Sequence, residues 1–519
     1  MSIIRRPALA LFAALSLWPA LAHAQSPADS SEAVDSATAA NAAAHQADKP
    51  KPARLTYQIW GDRLDASGYP DNTDEQLALR QLMRGRLDLG NKTFGMHVEA
   101  DLLSGQLAGD WGPRVPNRAD TETQANRDPF GRGQVVDPRE FYARWRTEVG
   151  ELRAGLQTSQ WGLGLVANSG SLQNEDIFNQ RFGGDRVVRA VFATAPLRPL
   201  LDSSVAENIY WVLGADLVWR DENADFIAGD RAVQGMSALF YRDEDTQGGV
   251  YAAYRDQDDR SGDFLQVWVF DAYADHVFSA GEDFRFRAAA EVALMHGETS
   301  RTWAPNADPI GVMALGAAAE LEALYKPLDL GVQLHAGYAS GDANSDDDTL
   351  YRFRFDPNYQ VGMVLFDHYM PAVSRASVDG IFDPERSGYA PKGIDGLISD
   401  GGVENAYYLS PRLSYGGEDG FMAAASLLWA QAAQPISDPY ASFANGGDLV
   451  GINGVAPASD DLGVELDAAA RYRFSPVDPL TLEIKGEYGI FFPGEAFADQ
   501  EGDLADPQSL VRVRLAAMW

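Results

Sequence analysis

The sequence has no cysteine. A disulfide scaffold, a thiolate metal site and a cysteine nucleophile are therefore excluded. Positive charge is scarce: 42 Lys and Arg stand against 75 Asp and Glu, a net charge of −33. General nucleic-acid binding needs clustered Lys and Arg and is excluded with it. After residue 53 no run reaches 18 consecutive apolar residues, so no transmembrane helix is expected there. Helical 3.6 periodicity is weak too. Yet 45% of the 519 residues are hydrophobic, far too many for a disordered chain.

The first residues read as an address. Arg5 and Arg6 precede an apolar core from Ala8 to Leu21, and Ala22-His23-Ala24 is a small-x-small cleavage site before Gln25. This pattern predicts a secretory signal peptide over 1–24. Its removal leaves 40 basic residues against the same 75 acids, a net charge of −35. Residues 25–53 are rich in Ala, Ser and Asp and end in Lys49-Pro50-Lys51-Pro52. They predict a disordered periplasmic linker.

Residues 54–519 alternate between apolar and polar over stretches of about ten residues. Phe284, Phe286, Ala288, Ala290, Val292 and Leu294 share one face, and Arg285, Arg287 and Glu291 the other. Leu480, Leu482, Ile484 and Tyr488 oppose Thr481, Glu483, Lys485 and Glu487. A soluble β-sandwich also alternates, but its strands are usually nearer six residues. About ten residues span a bilayer at a tilt. Aromatics end the apolar faces, as at Trp211 and Trp219 or Phe421 and Trp429, in the manner of interfacial girdles. The polar faces mix Arg with Glu, which a wet lumen tolerates and a dry core does not. The expected fold is all-β: a transmembrane antiparallel β-barrel over 54–519 with about 18 strands, or 16 or 20 if a hairpin is miscounted.

Connection lengths support this count. Gly90-Asn91-Lys92, Lys326-Pro327-Leu328 and Gly416-Gly417-Glu418 are short, whereas 105–138, 161–186, 341–403, 431–461 and 492–508 are long. Short periplasmic turns and long outer loops put the N-terminus in the periplasm of a Gram-negative cell, with outer-membrane lipid around the wall. Two connections break the parity, a longish one at 196–208 and a short one at 257–262. At the other end, Val511, Val513, Leu515, Ala517 and Trp519 alternate with Arg512 and Arg514 and finish on an aromatic. This resembles the signal by which the outer-membrane assembly machinery recognises barrel clients, carried here by Val513, Leu515 and Trp519.

Function in such a barrel depends on inward groups. Alternation points Arg80, Arg84, Arg86, Arg144, Arg146, Arg153, Arg285, Arg287, Arg471, Arg473, Arg512 and Arg514 inward, with Lys485. Inward acids balance them, among them Asp88, Glu99, Asp101, Glu140, Glu148, Glu291, Glu465 and Glu483. Arginine suits bidentate binding of carboxylates and phosphates. Closure would bring Arg512 and Arg514 beside the Arg80, Arg84 and Arg86 row. The set reads either as an anion-selective wall or as a bracing network of Arg–Glu bridges. The apolar stretch 161–186, with Trp161, Gly164 and Asn168, reads either as a constriction folded into the lumen or as a packed outer loop.

The run Gly337-Tyr338-Ala339-Ser340-Gly341-Asp342, its Asp-rich loop and Phe355-Asp356-Pro357 resemble alginate-export-type outer-membrane barrels. The Trp161–Gly164 and Phe355–Phe366 segments resemble outer-membrane proteins of deltaproteobacteria. The first resemblance implies passive passage of an anionic uronate polymer. The chain departs from it at Asn358-Tyr359-Gln360-Val361. Asp342, Asn344 and Asp346 have the spacing that opens a calcium loop, but Asp347 stands where Gly is needed and Phe353 where Glu is needed. That excludes an EF-hand and leaves loose calcium binding by an acidic loop as the cofactor reading. No Ser/His/Asp set has convincing spacing. The expected function is a porin- or export-type channel for polar or anionic solutes. A structural or surface-interaction barrel plugged by its loops is the alternative, and a barrel hydrolase comes third.

Overall fold

The computed structural model describes residues 53–65, 76–109, 134–172, 177–178, 182–301 apart from 199 and 202, 309–343, 347–374, 399, 401–438, 441–442, 445, 448–457 apart from 453 and 455, 459–499 and 501–519. The expected signal peptide, and the linker up to residue 52, lie outside them. So do Asn344 and Asp346.

The period-two pattern becomes strands. They are β1 (Ala53–Asp65), β2 (Gln76–Gly90), β3 (Phe94–Gly109), β4 (Gln134–Thr147), β5 (Gly150–Thr158), β6 (Arg186–Thr194), β7 (Ile209–Arg220), β8 (Arg231–Arg242) and β9 (Thr246–Asp258). There follow β10 (Phe264–Ala280), β11 (Phe284–Thr299), β12 (Ile310–Tyr325), β13 (Leu330–Ala339), β14 (Ala406–Tyr415), β15 (Gly420–Ala432), β16 (Asp461–Val477), β17 (Leu480–Pro493) and β18 (Gln508–Met518). Each pairs antiparallel with its neighbours in sequence. A further two-residue strand, Thr349–Leu350, lies parallel to β12.

The sheet closes. β18 pairs with β1 from Thr56↔Met518 to Asp65↔Ser509. Trp519 N–H donates to Leu55 O at 2.9 Å, and Leu55 N–H to Trp519 O at 3.3 Å. Closure leaves no edge among the 18 strands of the barrel. The 18-strand barrel is the expected one, and the long connection after β6 and the short one after β9 fall where the sequence placed them. The first of these carries a one-turn helix, Ser204–Glu207.

Along β10, Trp268, Phe270 and Phe278 are exposed while Val267, Val269, Asp271, Tyr273 and Asp275 are buried. The same division repeats around the wall, with Phe94, Trp145, Leu213, Ile484 and Leu515 exposed. An outward face this apolar is the face a bilayer covers. The hydrophobic core lies inside the cylinder. It joins inward wall residues such as Phe240, Leu428, Phe491 and Leu510 to two segments that fold in from the long connections.

An arginine on the lipid face should be costly. Phe270→Arg is expected to destabilise the barrel by about 2–4 kcal/mol if it lies near the bilayer midplane. The readout is urea unfolding in lipid vesicles, alongside the heat-modifiable gel shift that marks an intact barrel.

Candidate functional site

The first infolded segment, 159–185, starts where β5 ends. Trp161 Nε1–H donates to Asp271 Oδ1 at 2.9 Å, and its ring packs on Phe240 and Tyr251. Gly162 has φ +52, and a Cβ there would stand 2.3 Å from Glu291 Oε2. Glycine is therefore required, both for the backbone and for the close approach. The next turn then lays two donors on Glu291: Gly164 N–H at 3.1 Å and Leu165 N–H at 3.2 Å. Such runs of backbone N–H form nests for anions.

The far end of this segment is held across the barrel. Arg84 donates to Gly170 O at 3.0 Å and Phe182 O at 2.7 Å. Arg139 donates to Phe182 O at 3.0 Å, to Ser169 O and to Gly183 O. Lys485 Nζ donates to Ile177 O, and the Arg412 guanidinium lies 5.4 Å above the Phe178 ring. The segment thus bridges the wall from β10 and β11 to β2, β4, β14 and β17. The sequence left open whether 161–186 packs inside or outside; its described residues lie inside, with Trp161, Gly164 and Asn168 all buried.

A second infolded segment, 351–374, repeats the device. Gly362 has φ +74, and a Cβ there would meet Leu428 at 2.8 Å and Glu465 Oε1 at 2.9 Å. The backbone N–H groups of Met363, Val364 and Leu365 all donate to the Glu465 carboxylate, the last two at 2.8 and 2.7 Å. A π-helical turn follows at Leu365–Tyr369. Tyr369 stacks edge-on against Phe491 and Phe497. The two segments also touch. Asp356 N–H donates to Leu165 O at 2.8 Å, and Gly184 N–H to Asn358 Oδ1 at 3.2 Å.

Most of the expected wall arginines are already matched. Arg80 and Arg512 share Asp62, which stitches β2, β1 and β18. Arg84 binds Asp101 at 2.6 Å, and Arg86 binds Asp88 at 3.0 Å. Arg146 and Arg153 share Glu151, and Arg473 and Arg514 share Glu483. Arg287 meets Asp275, Glu320 and Glu322. Arg471 donates to the turn carbonyls of Gly417 and Glu418. Among the described residues Arg144 and Arg285 form no ion pair. Glu148 departs from its expected place: it sits in the exposed turn after β4 rather than on the inner wall, because the strand ends at Thr147.

Sequence alternation missed several inward arginines. Arg139 is 1% exposed and Asp137 7%, yet Glu140 faces inward as well. The register shift explains this. Glu99 pairs with Glu140 but Ala100 with Pro138, so Arg139 is the extra residue of a β-bulge. A bulge resets the period of two. The signal was Pro138, which a strand tolerates at a bulge or an edge. Arg186, Arg189 and Arg412 are buried too. Arg189 holds Asp216 through two bonds of 2.8 Å.

Two groups of acids and histidine converge. His97 lies between Asp88, 2.6 Å from Nδ1, and Glu140, 2.7 Å from Nε2, with Glu99 beside it. Arg84 and Arg139 neutralise that region. Asp185, Glu222 and Asp356 form the other group, with candidate ligand oxygens within 4.8 Å of one another. Burial, then the neighbouring Asp356, holds the Asp185 carboxyl well above its usual range. Burial and Asp221 push Glu222 up to about 8, and burial pushes Asp356 up to about 7. Asp342, the described member of the expected calcium loop, accepts the Tyr351 N–H through Oδ2 at 3.2 Å.

No protein-family description matches this chain, and no curated protein does. Solved structures do resemble it. Pseudomonas aeruginosa OprD is 10% identical with a TM-score of 0.49, covering 90% of this chain and 92% of its own. P. aeruginosa OccK8 (OprE) is 10% identical with a TM-score of 0.48, covering 90% and 97%. Acinetobacter baumannii OccAB2 is 11% identical with a TM-score of 0.48, again covering 90% and 97%. Likenesses this distant do not carry function. The lumen has to supply it.

Proposed function

We propose that this chain is a passive outer-membrane channel for small polar or anionic solutes, and not an enzyme. The observation that carries the proposal is the lumen itself: a closed barrel with charged inner walls, narrowed by segment 159–185 tied across it. Passage would be set by what threads between that segment and the wall. The apolar exterior faces outer-membrane lipid, with the N-terminus periplasmic and Val513, Leu515 and Trp519 read by the assembly machinery. Within the anionic class, the alginate-export-type resemblance suggests a uronate. A constriction of two packed segments suits a short uronate better than a threading polymer. One of the similar structures, P. aeruginosa OccK2 (OpdF), is a complex with glucuronate, which makes glucuronate a sensible probe.

The contact between the infolded segments, Asp356 N–H to Leu165 O, favours a second reading in which the barrel is plugged and serves structure or surface interaction. Planar-bilayer recording separates the two. Stepwise current from the intact chain supports the channel. Absence of current, unchanged after trimming 161–186 and 341–403, would sink it.

Selectivity has a specific prediction. Arg144 and Arg285 carry guanidinium groups not committed to carboxylates among the described residues. Arg144→Gln with Arg285→Gln should lower anion preference, read as a reversal potential in a KCl gradient. Thermal stability should barely change, because surface-type charges contribute about 0–1 kcal/mol. An unchanged reversal potential would show that these arginines do not set selectivity.

A further inference from the structure

We infer that Asp185, Glu222 and Asp356 form a calcium site that fastens the two infolded segments to each other and to the β7–β8 connection. The three carboxylates come from three separate parts of the chain: the end of the first infolded segment, the connection after β7, and the second infolded segment. Their candidate oxygens lie within 4.8 Å of one another. Ligands about 2.3–2.6 Å from a calcium ion can be no more than about 4.6–5.2 Å apart, so the spacing fits one coordination sphere. Three carboxylates, mono- or bidentate, supply the hard oxygens that calcium prefers.

A second observation points to a ligand. Asp356 is 2% exposed, and its Oδ2 accepts no hydrogen bond among the described residues. Its Oδ1 is used, by Asn358 N–H and Nδ2–H, both at 2.7 Å. A buried acceptor without a donor is costly unless something positive meets it. Neither Asp185 nor Asp356 has an ion pair among the described residues. The Asp185 carboxylate accepts the Asn168 N–H through Oδ2 at 3.2 Å. A neighbouring acid, Asp221, is already held by Arg255, with Nη1 at 2.5 Å and Nη2 at 3.2 Å. Arg255 and Arg189 act on this group only at longer range, without an ion pair to Asp185 or Asp356 among the described residues, whereas arginines pair directly with a carboxylate of the His97 group. At the Asp185 group a divalent cation would offset the converging negative charge and join segments that otherwise meet through a few backbone contacts.

The test uses the full-length barrel in detergent, stripped with chelator and titrated with calcium alone by equilibrium dialysis. One tightly held ion per chain is expected. Asp356→Asn and Asp185→Asn should each weaken it about tenfold or more, since affinity follows ligand charge. Asp347→Asn, in the acidic outer loop, should leave it unchanged. Equal binding by wild type and both variants would overturn the site, as would no tight binding by wild type. If either variant loses the heat-modifiable band, wild-type crystals soaked in terbium decide instead. An anomalous peak among the three carboxylates supports the site; no peak there overturns it. None of these readouts depends on conductance, so the outcome is independent of the channel proposal.

Discussion

Glu465→Ala should release the second infolded segment and open the lumen. Glu465 is fully buried and is the acceptor for three consecutive backbone donors, from Met363, Val364 and Leu365. Bonds to a charged acceptor contribute about 1.5–3 kcal/mol each. The alanine leaves three buried N–H groups without an acceptor, and a loss of even about 3 kcal/mol shifts the seated–released equilibrium roughly a hundredfold. The apolar contacts of Tyr369 with Phe491 and Phe497 remain and hold part of the segment in place. The expected record is larger single-channel conductance with frequent transitions, and faster proteolysis within 351–374. The wall should survive, because the β16 ladder uses backbone groups rather than the Glu465 side chain. Wild-type conductance and proteolysis would mean that the carboxylate does not seat the segment.

Arg139→Ala should have the largest effect on stability. The guanidinium is buried and meets Glu99 at 3.0 Å together with the carbonyls of Ser169, Phe182 and Gly183. The loss falls mainly on the bonds to those carbonyls, each worth about 1.5–3 kcal/mol for a charged donor, since Glu99 keeps Arg84 at 3.9 Å. Arg84 would still hold Gly170 O and Phe182 O, so the first segment should loosen rather than leave. The measurement is the unfolding midpoint in detergent, with conductance noise as the second readout. Arg139→Lys should recover only part of the loss. An ammonium is a point charge and cannot fork across a carboxylate and three carbonyls. Full recovery by lysine would mean that charge alone matters there.

These two residues mark where sequence reading succeeds and where it stops. Glu465 was legible as an inward acid, since β16 alternates regularly through that stretch. Its partner was not, because nothing local ties 363–365 to a carboxylate about a hundred residues away. Arg139 was illegible by alternation because it is itself the extra residue of a bulge, where the period of two is reset. Most of the expected wall arginines meet carboxylates, and alternation reports direction and not pairing. Arg80 and Arg512 become neighbours of one aspartate only when β18 closes on β1.

By itself the sequence determined the wall: strands of a length that crosses a bilayer, an apolar outer face, a charged inner face and a parity of turns that makes their number even, near 18. Period two and turn chemistry are local properties, so they can be read locally. Tertiary structure alone decided what occupies the lumen. Two segments fold inward because their glycine turns let runs of backbone donors reach Glu291 and Glu465. The carboxylates of Asp185, Glu222 and Asp356 meet only where those segments cross. Long-range contacts of that kind depend on barrel closure, which no local pattern encodes.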